Sequence, residues 1–152
     1  MTRFYIEKAQ YDRYDKLTRD PRSLLKGKRF ADVFLLATVL GFVRGRRESL
    51  KKRREVADIK VFGELGLWLL RSIAFLHKFR ETNDVDDALK IVKEVNDVIK
   101  IAEEYAKEGL SDVEEMVMST EGREKIEDLA EYILDRVLSE IPSLRKFLEQ
   151  KS

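Results

Sequence analysis

The sequence predicts an all-α fold, a compact single-domain bundle of six to seven helices spanning residues 1–152. Three observations carry that expectation. Only two prolines, Pro21 and Pro142, interrupt the chain. Apolar residues recur at steps of three and four through its second half, the spacing of a helix face. No alternating run bounded by turn dipeptides marks a hairpin. At 152 residues the chain is long enough to bury a core of its own.

The elements follow in order. Phe4 to Thr18 reads as a first helix with Phe4, Tyr11, Tyr14 and Leu17 near one another, ended by Asp20-Pro21. Ser23 to Lys28 is a polar connector. Phe30 to Phe42 holds a single charge, Asp32, and a helix apolar on every side belongs in the middle of a bundle. Gly41 suits the left-handed residue that closes it. Val61 to Phe79 is a second helix of this kind, carrying the only Trp, Trp68, and the only His, His77; Gly63 and Gly66 inside it would let another backbone come close. Thr82-Asn83-Asp84 offers N-caps, and Asp86 and Asp87 suit the positive end of the next helix dipole. That helix is expected from Val85 to Lys107, with Val85, Leu89, Val92, Val95, Ile99, Ala102 and Ala106 along one stripe and Gly109 as its stop. Ser111 with Glu114 makes a capping box for a short helix. Thr120 to Glu140, with Ile126, Leu129, Ile133, Val137 and Leu138 inward, is another long helix, and Pro142-Ser143 starts a final one through Glu149. Between Arg44 and Lys60 the pattern is ambiguous: VADIKVF is compatible with a short strand, but a lone strand needs a partner and none is evident.

Composition narrows the function classes. Without cysteine there are no disulfides and no thiolate metal sites. Lys, Arg and Glu are abundant while Asn83, Asn96, Gln10 and Gln150 are the whole amide supply, a composition found in hyperthermophiles. The N-terminus lacks the basic-then-apolar order of a signal peptide, and the most apolar window, Val61 to Phe79, is broken by Glu64, Arg71, His77 and Lys78, so a soluble, cytoplasmic protein away from membranes is expected. The formal net charge of +1 hides a dipole: residues 1–60 carry 17 Lys/Arg against 8 Asp/Glu, residues 61–152 carry 13 against 21. Such asymmetry points to a basic face for a polyanion, an acidic face for a second partner, or the two faces packed on each other.

Catalytic chemistry finds little footing. With one His and no Cys, a metal site would be built from carboxylates and hold a hard ion such as Mg²⁺. The acidic pairs Asp86/Asp87, Glu103/Glu104 and Glu114/Glu115 are sequence neighbours, pointing about 100° apart on a helix, and read as caps and solvated faces. Asp58-Ile59-Lys60 has the Asp-x-Lys form of a Mg²⁺-dependent nuclease strand, in which the Lys stabilises the attacking hydroxide, but the supporting sheet is not evident. His77 has no nucleophile at a suggestive spacing and reads as structural. No phosphate-binding glycine loop occurs. Accordingly, no catalytic residue, cofactor or metal ligand is expected.

The basic stretch remains. Seven of the eleven residues from Arg44 to Arg54 are Lys or Arg: Arg44, Arg46, Arg47, Lys51, Lys52, Arg53 and Arg54. As a helix it would align Arg44, Arg47, Lys51 and Arg54; extended, it would be a flexible basic loop. Either form neutralises phosphates and releases counterions. Nothing aromatic is interleaved, so base stacking has no platform within it. Two bland readings stand beside nucleic-acid contact: docking on an acidic protein surface, including the chain's own, and plain solvation.

The segment RFADVFLLATVLGFVRGRRESL, Arg29 to Leu50, resembles a segment of the small accessory proteins found with DNA phosphorothioation (Dnd) gene clusters. The residues that carry the resemblance are Asp32-Val33-Phe34-Leu35-Leu36-Ala37, Leu40-Gly41-Phe42 and Gly45-Arg46-Arg47. IAEEYAKEGL, Ile101 to Leu110, is similar to the Tyr-Ala-x-x-Gly-Leu of the same proteins. Together the two segments cover about a fifth of the chain. Ser49 stands where those proteins often have proline, and the resemblance does not reach the Trp68 helix or the acidic C-terminal helix. The resemblance implies an accessory role in DNA-modification defence and no catalytic residues; sulfur transfer by this chain would lack a cysteine to carry a persulfide. The expected protein is thus a non-enzymatic accessory or adaptor touching DNA through Arg44 to Arg54, with the acidic helices between Asp84 and Glu140 turned to a protein partner or a second copy.

Overall fold

The computed structural model describes residues 2–118. They form strand β1 (Arg3–Glu7), helix α1 (Tyr11–Arg19), helix α2 (Phe30–Arg44), strand β2 (Arg53–Asp58) and helices α3 (Gly63–Thr82), α4 (Val85–Lys93) and α5 (Val95–Val117). Short 3-10 turns at Lys8–Gln10 and Ile59–Phe62 follow the two strands. The expected helices at Thr120 to Glu140 and from Pro142 through Glu149 lie outside the described residues.

The fold is mainly helical but not all-α, and the expected helix from Phe4 is corrected. β1 pairs antiparallel with β2 from Arg3↔Asp58 to Glu7↔Arg53, with an irregularity between Phe4 and Tyr5. The strand is RREVAD, paired with RFYIE some fifty residues earlier; only Val56-Ala57-Asp58 of VADIKVF lies in it, and Ile59–Phe62 turns as a 3-10 helix. Propensity alone did not separate the two halves of Phe4 to Thr18. Burial does: Phe4 and Ile6 drop onto the core from one side of a strand, and Phe4 meets Phe34 and Phe62 at 4.7 Å between ring centroids. Asp20-Pro21 does end the helix, which stops at Arg19.

The α2–α5 pair is the centre of the molecule. It runs antiparallel, with Thr38 Oγ1 donating to Phe34 O at 2.8 Å and lying 3.3 Å from Ala102 O. Two glycines make the pair possible. A Cβ on Gly41 would fall 2.1 Å from Tyr105 O, and one on Gly109 would fall 1.8 Å from Ala37 O. Their local pattern suits helix ends, but both lie inside a helix at the crossing. α2 closes four residues later than expected, at left-handed Gly45 (φ 67°). α5 runs straight through Gly109, so Ser111 and Glu114 cap nothing; Ser111 Oγ and the Glu114 carboxylate take the Arg13 guanidinium instead.

The single helix expected from Val85 to Lys107 is two. The chain bends at Glu94 (φ −94°, ψ 83°), so α4 packs on α3 while α5 packs on α2. Asp84 does cap α4, accepting from the Asp86 and Asp87 N–H groups at 2.8 and 3.3 Å. α3 begins at Gly63, later than expected, and buries Gly66, Leu70, Ile73, Ala74 and His77. It is not buried all round: Leu65, Trp68 and Leu69 are 87, 56 and 39 % exposed.

Candidate nucleic-acid interface

The basic stretch is neither one helix face nor a flexible loop. Arg44 is the last residue of α2, Gly45 turns the chain, residues 46–52 cross the surface, and Arg53 and Arg54 open β2. A buried carboxylate anchors the end of the crossing segment. Glu7, 6 % exposed, accepts from the Lys51 N–H at 2.9 Å and the Lys52 N–H at 2.8 Å, and Lys107 Nζ lies 3.0 Å away. Lys107 in turn reaches Glu48 at 3.3 Å and donates to Ser49 O at 3.0 Å. Burial by itself would raise the Glu7 pKa; the two backbone N–H groups and the Lys107 ammonium outweigh it and hold the carboxyl at about 2.

The fold sorts the seven cations into two groups. Three are neutralised by the chain's own carboxylates: Arg44 by Asp112 (3.2 Å), Arg47 by Glu104 (3.6 Å) and Glu81 (3.8 Å), and Arg53 by Glu103 (3.2 Å). Self-docking of the basic segment on the acidic half is therefore partly realised. The other four, Arg46, Lys51, Lys52 and Arg54, are exposed and make no ion pair among the described residues. Arg54 lies over the Tyr11 ring, 3.4 Å from its centroid, which orients the guanidinium. Sequence reasoning missed Lys8. Its backbone N–H donates to Lys52 O at 2.8 Å, so an exposed ammonium from the end of β1 joins the group. No local signal could find it, because its neighbourhood depends on β1 pairing with β2.

The aromatic rings absent from the basic stretch arrive from elsewhere in the chain. Tyr5 and Tyr11 lie beneath Arg53 and Arg54 at 4.1 and 3.4 Å, so each ring already carries a guanidinium rather than waiting for a base. Beside Arg53 opens a groove of about 680 Å³. Arg3, Arg53 and Lys100 face Asp97, Glu103 and Glu104 across it, a balance that gives no net pull on an anion. Burial pushes the Glu103 carboxyl up, against the Tyr5 N–H (2.8 Å) and Arg53 that draw it down.

His77 is more deeply set than a half-exposed residue near a helix end. It is 8 % exposed, with Nδ1 2.7 Å from the Tyr105 hydroxyl and Nε2 3.2 Å from both Arg47 Nη1 and Glu81 Oε1. Arg47 only donates and the Glu81 carboxylate only accepts, so the neutral ring serves one or the other, with the Tyr105 hydroxyl adapting at Nδ1. Burial, then the Arg47 charge, lowers the His77 pKa, and Glu81 opposes them. We expect the sole imidazole to titrate below its ordinary value of 6.5 in an NMR titration, and Arg47→Ala to move its midpoint upward. A midpoint above 6.5 in the parent chain would contradict this assignment.

Asp58 gains the strand that a nuclease reading asked for, but its carboxylate accepts the Lys60 N–H at 2.9 Å and caps a turn. Among the described residues no group of three or more His, Asp or Glu side chains is placed to hold a metal ion. Nor is any described helix long and apolar enough to cross a membrane.

The segments that carry this geometry, from β1 through α5, are also matched as a unit. A family model described as DNA sulphur modification system-associated protein 4 covers residues 3–147. The chain belongs to that family. The likeness seen in Arg29 to Leu50 and Ile101 to Leu110 therefore extends over nearly the whole chain rather than a fifth of it. In this member of the family, those two segments are the halves of the α2–α5 crossing, with Gly41 in one and Gly109 in the other. No curated protein and no solved structure matches the chain.

Proposed function

We propose that this chain is a non-enzymatic accessory protein of a DNA sulphur modification system, and that it holds nucleic acid by the phosphate backbone through Arg46, Lys51, Lys52 and Arg54, with Lys8 beside them. The observation that carries the reading is the Glu7 anchor. It spends the backbone of residues 51 and 52 on a buried carboxylate and leaves both ammonium groups outward and unpaired. Exposed cations that make no ion pair contact phosphates and read no sequence.

The test is fluorescence anisotropy on random duplex DNA across a salt series. Four engaged phosphates give a log–log slope of about −3.6. Changing Arg46, Lys51, Lys52 and Arg54 together to Ala should flatten the slope and weaken binding uniformly across sequences. Arg53→Ala serves as the internal contrast: its guanidinium is committed to Glu103 and Tyr5, so it should leave the slope unchanged. Absence of binding at low salt overturns the proposal. The unpaired cations would then serve an acidic protein surface, the second reading, which the internal pairs of Arg44, Arg47 and Arg53 with α5 or α3 carboxylates favour as a mode of contact.

A further inference from the structure

All five large apolar side chains left exposed among the described residues lie on two consecutive helices, Leu65, Trp68 and Leu69 on α3, Val85 and Leu89 on α4. The helices differ in length. α4 has nine residues and follows the C-terminal end of α3 after Asn83 and Asp84, so it can flank no more than about half of the twenty-residue α3. The N-terminal half of α3 keeps an exposed face made of Leu65, Trp68, Leu69 and Ser72. Their i, i+3, i+4 and i+7 spacing sets these side chains together. Single exposed apolar residues are ordinary on a protein surface; a contiguous group marks a contact.

The rim of this face is complementary in charge to itself. Glu64 and Arg71 are two helical turns apart and stand on the same flank of it. Neither side chain makes an ion pair among the described residues. When two copies of α3 lie antiparallel across a two-fold axis, the same flank of each helix meets. Glu64 of each copy then stands opposite Arg71 of the other, and the attraction occurs twice. The same register sets Leu65 against Ser72, and Trp68 against Leu69, of the second copy. Ser72 suits that position. It is small, and its Oγ donates to Trp68 O at 2.8 Å, so the hydroxyl is already bonded when an apolar neighbour covers it. The antiparallel arrangement also places the opposed ends of the two helix dipoles side by side.

We propose that two copies of this chain associate through antiparallel α3 helices, burying Leu65, Trp68, Leu69 and Ser72 between them, with a Glu64–Arg71 pair at each end. This contact is independent of the basic surface, and its test involves no nucleic acid. Sedimentation equilibrium of the full-length protein over a concentration series should show a monomer–dimer equilibrium. Trp68 is the only tryptophan, so its emission should shift red, and acrylamide quenching should rise severalfold, as the dimer dissociates on dilution. Glu64→Arg and Arg71→Glu each bring like charges together at both ends and should weaken the dimer about tenfold. Mixed in equal amounts, the two variants complement each other and should form a heterodimer of parental strength. The exchange Glu64→Arg/Arg71→Glu within one chain should restore the homodimer in the same way. A parent chain that stays monomeric at high concentration overturns the proposal. So does a dimer that both single reversals leave intact, or one that the mixture fails to recover.

Discussion

Gly109→Ala should destabilise the protein by about 3 kcal/mol or more, at or beyond the upper end of ordinary overpacking. The sign is the informative part. In an isolated helix the same change is favourable by about 1 kcal/mol, because glycine carries the larger backbone entropy. Here the added methyl would sit 1.8 Å from Ala37 O, 2.7 Å from Gly41 N and 2.8 Å from Ala37 C. All three are backbone atoms of a neighbouring helix, so no side-chain rotation relieves the contact and α2 and α5 have to separate. Separation then loosens the packing of Ala37, Ala102, Tyr105 and Ala106, all fully or nearly buried. Gly41→Ala should behave alike, since its methyl would fall 2.1 Å from Tyr105 O. Urea unfolding measures both. A midpoint unchanged or raised in Gly109→Ala would mean that the two helices do not approach this closely.

Glu7→Gln should cost about 2 kcal/mol near neutral pH, the scale of a hydrogen-bonded charge lost from a buried site. The amide keeps one acceptor oxygen for two N–H donors and forfeits the attraction of Lys107, whose side chain is only 11 % exposed. The effect has a pH signature. The folded-state carboxyl is held at about 2, below the ordinary 4.5, so between these values the unfolded chain takes up a proton that the folded chain refuses. The stabilisation from Glu7 is therefore complete above pH 4.5 and is lost as the pH falls through about 2. Parent and Glu7→Gln stabilities should converge across that window; a constant gap would mean that Glu7 acts by shape alone. Because Glu7 fixes the backbone of Lys51 and Lys52, the variant should also weaken the proposed DNA binding while leaving every cation in place.

The two glycines explain a recurring pattern in what could be read early. The local sequence around Gly41 and Gly109 suits the commonest role of glycine, the end of a helix. Local sequence cannot distinguish a glycine that frees φ from a glycine that clears space, because the second use is defined by the facing backbone. The strand pair shows the same gap. VADIKVF was recognisable as strand-like; RFYIE was hidden by an amphipathic run continuing into Tyr11, and only pairing across fifty residues separates it. Lys8 went unnoticed for that reason.

The candidate interface was legible as composition and not as geometry. Charge density between Arg44 and Arg54 marked the segment, but Asp112, Glu104, Glu81 and Glu103 remove three of its cations and lie 34 to 68 residues from the arginines they pair with. By itself the sequence determined a mainly helical chain, the apolar α2 and α3, the Asp84 cap, the stop at Asp20-Pro21 and the identity of the basic segment, since each rests on residues within one or two turns of each other. Tertiary structure alone decided the β1–β2 pair, the glycine-lined crossing, the break at Glu94 and which positive charges stay exposed. Those features depend on atoms brought together across the chain, and a salt bridge or a backbone contact has no local pattern to announce it.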